Sequence, residues 1–170
     1  RLVRALDQRL SAKTRLAMAA AGEHHTALFG HEVLTERPFD SAPEEMRALM
    51  MWHAAEEIEH KAVVFDLLRH VAPGYLRRVW AMVLVSALLV WLWVGAARTL
   101  LAQEGGFWSA WRARRRLPVR ERFLPPFHVI ALQLLRYFRP GFHPWQQDDL
   151  HLATDHFAQA GLETREATSS

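Results

Sequence analysis

The sequence predicts an all-α protein in which one helix is hydrophobic on every side. Leu, Ala, Arg and Glu dominate its 170 residues, and these residue types favour helix over strand. Glycine and proline cluster at a few breaks, and no alternation of apolar and polar residues lasts long enough to predict a sheet. A chain of this length can form one hydrophobic core together with one membrane element.

The N-terminal half contains two long predicted helices. The first covers residues 1–35 and ends before Pro38. The second begins near Ser41, because a serine ahead of two glutamates is typical of a helix N-cap. It is expected to continue to about Val71, before Pro73 and the glycine that follows.

The third predicted helix, residues 79–97, contains no charged side chain, as expected of a helix that enters a bilayer. Trp80, Trp91 and Trp93 resemble interfacial anchors, and the arginines of residues 111–122 follow as a positive-inside signal requires. We therefore expect a membrane-associated protein at the cytoplasmic face. A helix of this kind can also be a buried core element, so that alternative stays open.

The C-terminal part is predicted to contain two shorter helices, at about residues 129–138 and 146–160, separated by the turn of residues 139–144. Basic side chains are concentrated in residues 111–122 while the net charge is only +3, so they form a local patch. No groove-reading helix or sheet with stacking aromatics accompanies this patch. Nucleic acid is therefore not expected as a partner.

The residues that carry chemistry lie in the second helix, in the sequence WHAAEEIEHKAVVFD of residues 52–66. At about 100° per residue, four ionisable side chains share one face of that helix. They are His53, Glu56, Glu57 and His60. Because the sequence has no cysteine, a metal would have to be held by such imidazole and carboxylate groups, which favours iron, manganese or zinc.

The same face of the second helix is expected to be buried. It continues through Leu49, Val64 and Leu67, so the ionisable groups interrupt a stripe that is otherwise apolar. Carboxylates and imidazoles buried together would destabilise the fold strongly unless a cation neutralises them. Glu59 and Lys61 fall off this face and are predicted to point to solvent.

Glu23 provides a matching carboxylate on the first helix. Its neighbours on the same face are small or apolar apart from the hydroxyl of Thr26. Small side chains let two helices approach closely, which would bring Glu23 towards Glu57 and His60.

The predicted metal ligands and the candidate general base come from these two helices. The ligands are Glu23, His53, Glu57 and His60. Glu56 is the candidate general base, although Glu56 and His53 could instead orient the ligands, and Glu56 could replace Glu57 as a ligand. His24 and His25 are expected to point away from the site.

A glutamate on one helix and Glu-x-x-His on the next are half of the ligand set of di-iron and di-manganese four-helix bundles. At these residues the sequence resembles the ferritin-like family of predicted metal-dependent hydrolases, which carries a Glu-His-x-Thr helix, a WHxxEExEH helix and an RPGFHPW turn. The corresponding segments are residues 23–26, 52–60 and 139–145, within a resemblance that covers about residues 18–145. It implies a partial ferritin-like bundle with a dinuclear carboxylate and histidine site. The implied cofactor is a divalent metal, iron first, with manganese or zinc as alternatives.

The resemblance also implies that half of the site comes from elsewhere, because this sequence lacks the family's upstream helix pair with another Glu and another Glu-x-x-His. Residues ahead of Arg1 could supply it, or two copies could pair as a homodimer. A third route is Asp148-x-x-His151 with Asp155, although the apolar residues of that helix predict that these groups face water. His143, in the turn, is predicted to form structural hydrogen bonds.

The activity implied by the resemblance is that of a metal-dependent hydrolase with a small-molecule or lipid-like substrate. The ligand types also permit a di-iron oxidase or oxygenase with an apolar substrate, or a membrane protein that binds metal without catalysis.

The sequence is predicted to divide into three regions. Residues 1–72 form the metal-binding helix pair, 73–104 the hydrophobic membrane-associated helix, and 105–170 the basic segment with the C-terminal helices.

Overall fold

The computed structural model describes residues 10–103, 105–116 and 127–161. Every regular element in these ranges is helical, which confirms the all-α prediction. The helices are α1 (Ala12–Glu36), α2 (Glu44–His60), α3 (Val63–Val71), α4 (Tyr75–Gln103), α5 (Phe107–Arg116), α6 (Phe127–Tyr137), a short 3-10 helix (Pro144–Gln146) and α7 (Leu150–Gln159). The predictions for residues 1–9 and 117–126 lie outside the described residues.

Helix α1 is the central element and packs against α2, α3 and α4. Its N-cap is Ser11, whose side chain accepts a hydrogen bond from the Thr14 backbone N–H. It ends at Arg37, whose φ of 48° lies in the left-handed region. A Cβ at Gly30 would lie 2.6 Å from the Ala54 carbonyl oxygen, so the close approach of α1 and α2 requires glycine at this position.

The core lies on both sides of α1. On one side, α2 and α7 bury a cluster that includes Met51, Ile58 and Phe157. On the other side, rings from the α3 and α6 regions pack with Met82 of α4. Buried alanines along α1 leave room for α3 and α4 to pack closely.

The second predicted helix is divided in two, which corrects the expectation of one helix to Val71. Helix α2 ends at His60, and α3 begins at Val63 after a turn. Ser41 does not cap α2, which begins at Glu44 without a side-chain cap. The turn coincides with the burial of Lys61, whose ammonium group forms an ion pair with the Asp149 carboxylate.

The predicted exposure of Lys61 is therefore wrong. Its side chain and that of Asp149 are each 4% exposed. Lys61 Nζ also donates to the Gln147 carbonyl at 2.6 Å, and it lies 4.6 Å from the centroid of the Trp145 ring. The long aliphatic stem of lysine lets its charge reach these partners while the stem packs in the core.

Helix α4 is longer than predicted and carries its apolar residues mainly on the outside. One side packs on α1, where Ala81, Met82 and Val85 are buried. Every residue from 91 to 100 is exposed, although the Trp93 ring stacks on Phe29 with centroids 5.8 Å apart. The alternative of a buried core helix is thus not supported in the described part of the chain.

The last helix, α7, begins at Leu150 rather than near Gln146, because the residues before it form the 3-10 helix. Ala153 and Phe157 are buried, as the apolar pattern predicts. Asp148, just before α7, and His151 and Asp155 within it are exposed, which confirms that they face water.

Candidate metal centre

Helices α1 and α2 bring three of the predicted ligands near one another. Burial raises the pKa of Glu23, the Glu57 carboxylate raises it further, and His60 acts in the opposite direction. These effects require Glu57 and His60 to lie within electrostatic reach of Glu23. The two carboxylates therefore repel each other across the contact between the helices.

The Glu57 carboxylate is held between the two helices. Thr26 Oγ1 donates a hydrogen bond to Glu57 Oε2 at 2.5 Å and also lies 3.0 Å from the Glu23 backbone oxygen. On its other side, Glu57 Oε1 lies 3.5 Å from His53 Nε2. A hydroxyl on one helix and an imidazole on the other thus fix the orientation of this carboxylate.

His60 also belongs to a second group of possible metal ligands, besides its place near Glu23 and Glu57. One ligand atom from each of Glu56, Glu59 and His60 lies within 4.8 Å of the others. Glu56 Oε2 is 3.5 Å from His60 Nδ1. Glu59 is half-buried and was assigned to solvent from the sequence. The signal that could have found it is the i, i+3, i+4 spacing of residues 56, 59 and 60, which places all three side chains together.

The ligand face of α2 is more exposed than the sequence predicts. Leu49 and Leu67, expected in a buried stripe, are 57% and 50% exposed. The side chains of His53 and His60 are 57% exposed, whereas that of Glu57 is 19% exposed. Helix α1 contacts α2 along Ala54 and Glu57, so Glu57 lies at the edge of the helix contact while the rest of the ligand face is left outward. Burial alone therefore does not demand a cation at this face. The clustered carboxylates and imidazoles favour one.

The donor set fits a divalent metal that prefers nitrogen and oxygen ligands. Such ligands lie about 2.0–2.2 Å from the ion, so two donor atoms can be at most about 4.4 Å apart. The atoms of residues 56, 59 and 60, within 4.8 Å of one another, need only a small movement of half-buried or exposed side chains to reach that spacing. A cation would also relieve the repulsion between Glu23 and Glu57.

His24, His25 and His143 contact residues outside the ligand face. His25 Nδ1 donates to the Ala21 carbonyl at 2.7 Å, and its Nε2 is 3.0 Å from Ser86 Oγ. Burial lowers the pKa of His24 to about 3, and its ring contacts aromatic rings of the core. His143 Nε2 lies 2.8 Å from Asp66 Oδ1, which confirms the structural hydrogen bonding predicted for it.

The family model described as "Predicted metal-dependent hydrolase" matches residues 1–148. The chain belongs to this family. The match includes both donor groups and the turn of residues 139–145. Searches of curated proteins and of solved structures found no match. Membership of the predicted metal-dependent hydrolase family is thus confirmed, while the ferritin-like arrangement stays a prediction.

Proposed function

We propose that this member of the predicted metal-dependent hydrolase family hydrolyses a small-molecule or lipid-like substrate at the outer face of α1 and α2. Glu23, Glu57 and His60 would hold a divalent metal, with His53 as a further ligand or as the group that orients Glu57. The observation that carries the proposal is the cluster of carboxylate and imidazole donors beside α1. Thr26 of α1 holds the Glu57 carboxylate at 2.5 Å, and one ligand atom from each of Glu56, Glu59 and His60 lies within 4.8 Å of the others. A divalent metal bound there would supply Lewis acidity and lower the pKa of a bound water.

The side chains around the ligands have distinct roles in this proposal. Thr26 holds the Glu57 carboxylate towards α1 through its 2.5 Å hydrogen bond. Glu56 is half-buried at the edge of the site, and its position lets it accept a proton from an attacking water as general base. Glu59 is the further carboxylate next to Glu56 and His60.

The metal assignment is tested by elemental analysis of purified chain and variants. Glu57→Gln and His60→Gln should each lower metal retention by about tenfold or more. Glu45 and His70 are exposed; Glu45 lies about three turns of α2 before Glu56, and His70 lies in α3. Glu45→Gln and His70→Gln are therefore matched controls that should keep their metal. Equal metal content in all five proteins would refute the site.

The reaction class is tested on the same proteins. Glu56→Gln should lose hydrolysis of chromogenic esters or phosphate esters. Metal retained in this variant assigns Glu56 as the base, whereas metal lost assigns it as a ligand together with Glu59 and His60. Zinc or manganese as the bound metal supports hydrolysis. Iron with an oxo-bridge absorption would instead favour oxygen chemistry on an apolar substrate. The metal content per chain and the molecular mass together test the homodimer that would pair two half-sites.

We also propose that α4 attaches the chain to a membrane. Among the described helices it is long and apolar enough to cross a bilayer, and only 17% of its most apolar window is buried. Phe107 and Trp108 of α5 are exposed, as are Arg112 and Arg116 of the same helix. Aromatic side chains favour the bilayer interface, and arginines favour anionic headgroups.

Vesicle flotation tests this attachment. The chain should float with vesicles that contain phosphatidylglycerol and less with phosphatidylcholine alone. Trp91→Ser with Trp93→Ser should reduce flotation, whereas Met46→Ser with Leu49→Ser changes equally exposed apolar residues of α2 and should not. A chain that is soluble without detergent and does not float contradicts the proposal.

A further inference from the structure

Arg78, near the start of α4, is a buried cation without an acidic partner among the described residues. It is 7% exposed. Its Nη2 donates to the Arg139 carbonyl at 2.6 Å, and its Nη1 has no hydrogen-bond partner in the described part of the chain. The guanidinium carbon lies 5.0–5.8 Å from four aromatic centroids. The rings belong to Phe65, Tyr75, Tyr137 and Phe142.

These contacts leave the charge of Arg78 only partly compensated. A guanidinium group stays protonated in proteins, so it cannot escape burial by losing its proton. Aromatic faces and one carbonyl oxygen stabilise a cation, but a buried charge is normally paired with an opposite charge. No ion pair of the described residues includes Arg78. An anion from outside the described chain would complete the pairing.

A cavity of about 340 Å³ lies beside Arg78. Arg69 of α3 lines it as a second cation, and its walls include the rings of Phe65 and Tyr75. Pro140, Gly141 and Phe142, from the turn of residues 139–145, form another part of the wall. Its volume falls within the range of about 300–1,000 Å³ that small-molecule sites occupy.

We propose that this cavity binds a small organic anion, with its carboxylate or phosphate group on Arg78 and Arg69 and its apolar part against the aromatic wall. The planar guanidinium group presents forked N–H donors that match two oxygens of such a group. The proposal does not depend on the metal centre. It also gives a role to the turn of residues 139–145, which supplies the Arg139 carbonyl to Arg78 and a wall of the cavity.

Calorimetric titration of the purified full chain with benzoate and with inorganic phosphate tests the site. The parent chain should bind at least one of them, and Arg78→Met should weaken that binding by roughly tenfold or more, because a charge-assisted contact is lost. Arg78→Lys should give intermediate binding, since it keeps the charge but not the fork. Arg98→Met removes an exposed arginine of the same helix and should bind as the parent does.

A second variant keeps the test decisive if Arg78→Met does not fold. Gly141 lines the cavity, and a Cβ added there would meet no heavy atom within 4 Å. Gly141→Leu should therefore fold, as checked by circular dichroism, and should weaken anion binding by reducing the cavity. Competition by soluble short-chain phosphatidate would identify a lipid headgroup as the source of the phosphate, and its absence would identify a free anion. A parent chain that binds neither probe, or Gly141→Leu binding like the parent, overturns the proposal.

Discussion

Replacing Asp149 by Asn should destabilise the fold by about 3–5 kcal/mol, because it leaves the Lys61 ammonium buried without an opposite charge. Asp149 accepts hydrogen bonds from Lys61 and, at 3.1 Å, from His31 Nδ1. After the substitution, Lys61 would retain the Gln147 carbonyl, the Trp145 ring and a neutral amide oxygen at position 149 as contacts, but no opposite charge. The double variant Lys61→Met with Asp149→Leu leaves no unpaired charge, so it should be more stable than Asp149→Asn alone.

Urea unfolding measures these differences in the free energy of unfolding, provided that its dependence on urea concentration has the same slope in each protein. The pH dependence of the difference between Asp149→Asn and the parent has a definite sign. Burial alone would raise the pKa of Asp149, but hydrogen bonds from His31 and Lys61 outweigh it and hold the pKa below 3.8. A carboxylate with a lowered pKa in the folded state stabilises the fold above its unfolded pKa and loses that contribution as the pH falls. The destabilisation of Asp149→Asn relative to the parent should therefore be present at neutral pH and shrink below about pH 4, where the carboxylate of the parent becomes protonated. If Asp149→Asn lies within about 0.5 kcal/mol of the parent, the reasoning is refuted.

Three further substitutions test the packing of α1 and of the aromatic core. Gly30→Ala should destabilise the fold by about 1–3 kcal/mol, since its Cβ would lie 2.6 Å from the Ala54 carbonyl oxygen. In the same helix, a Cβ at Gly22 meets no neighbour, so Gly22→Ala should stabilise the fold by about 0.5–1 kcal/mol. Thermal unfolding of Gly30→Ala and Gly22→Ala therefore separates the effect of crowding from that of helix propensity. Tyr137→Phe should change stability by less than about 1 kcal/mol, because the Tyr137 hydroxyl is buried without a hydrogen-bond partner among the described residues. A larger loss in the same assay would contradict this and indicate a hydrogen-bond partner outside them.

Local sequence predicts the helices of this fold better than it predicts the break between α2 and α3. Pro38 and Pro73 mark helix ends because proline cannot continue a helix, and the chain turns near both. No proline or glycine marks the turn at Lys61. That turn accompanies an ion pair with Asp149, a residue 88 positions later, and helical periodicity within one segment contains no information about such a partner.

The sequence predicts which ligand residues share one face of α2, but not whether that face is buried. The i, i+3 and i+4 positions bring His53, Glu56, Glu57 and His60 to one face, and this follows from helix geometry alone. Which side of α2 meets α1 does not follow, because apolar residues occur on both sides. The side with small residues is buried, since alanines allow the close approach that Gly30 completes. Met51 and Ile58 are buried with these alanines, whereas Met46 and Leu49 are left outward.

The exposure of the ligand face favours a catalytic metal over a stored or structural one. A structural site is closed by protein ligands, whereas a catalytic site keeps a coordination position for water or substrate. Here the Glu57 carboxylate is the more buried donor and is held by Thr26, while the imidazoles of His53 and His60 lie towards water. A metal bound among them would be fixed from the protein side and open from the solvent side, where Glu56 can reach an attacking water. Hydrolysis needs water and substrate to meet at such an open position. The ligand face of α2 was predicted to be buried and is exposed, and this exposure favours a hydrolase.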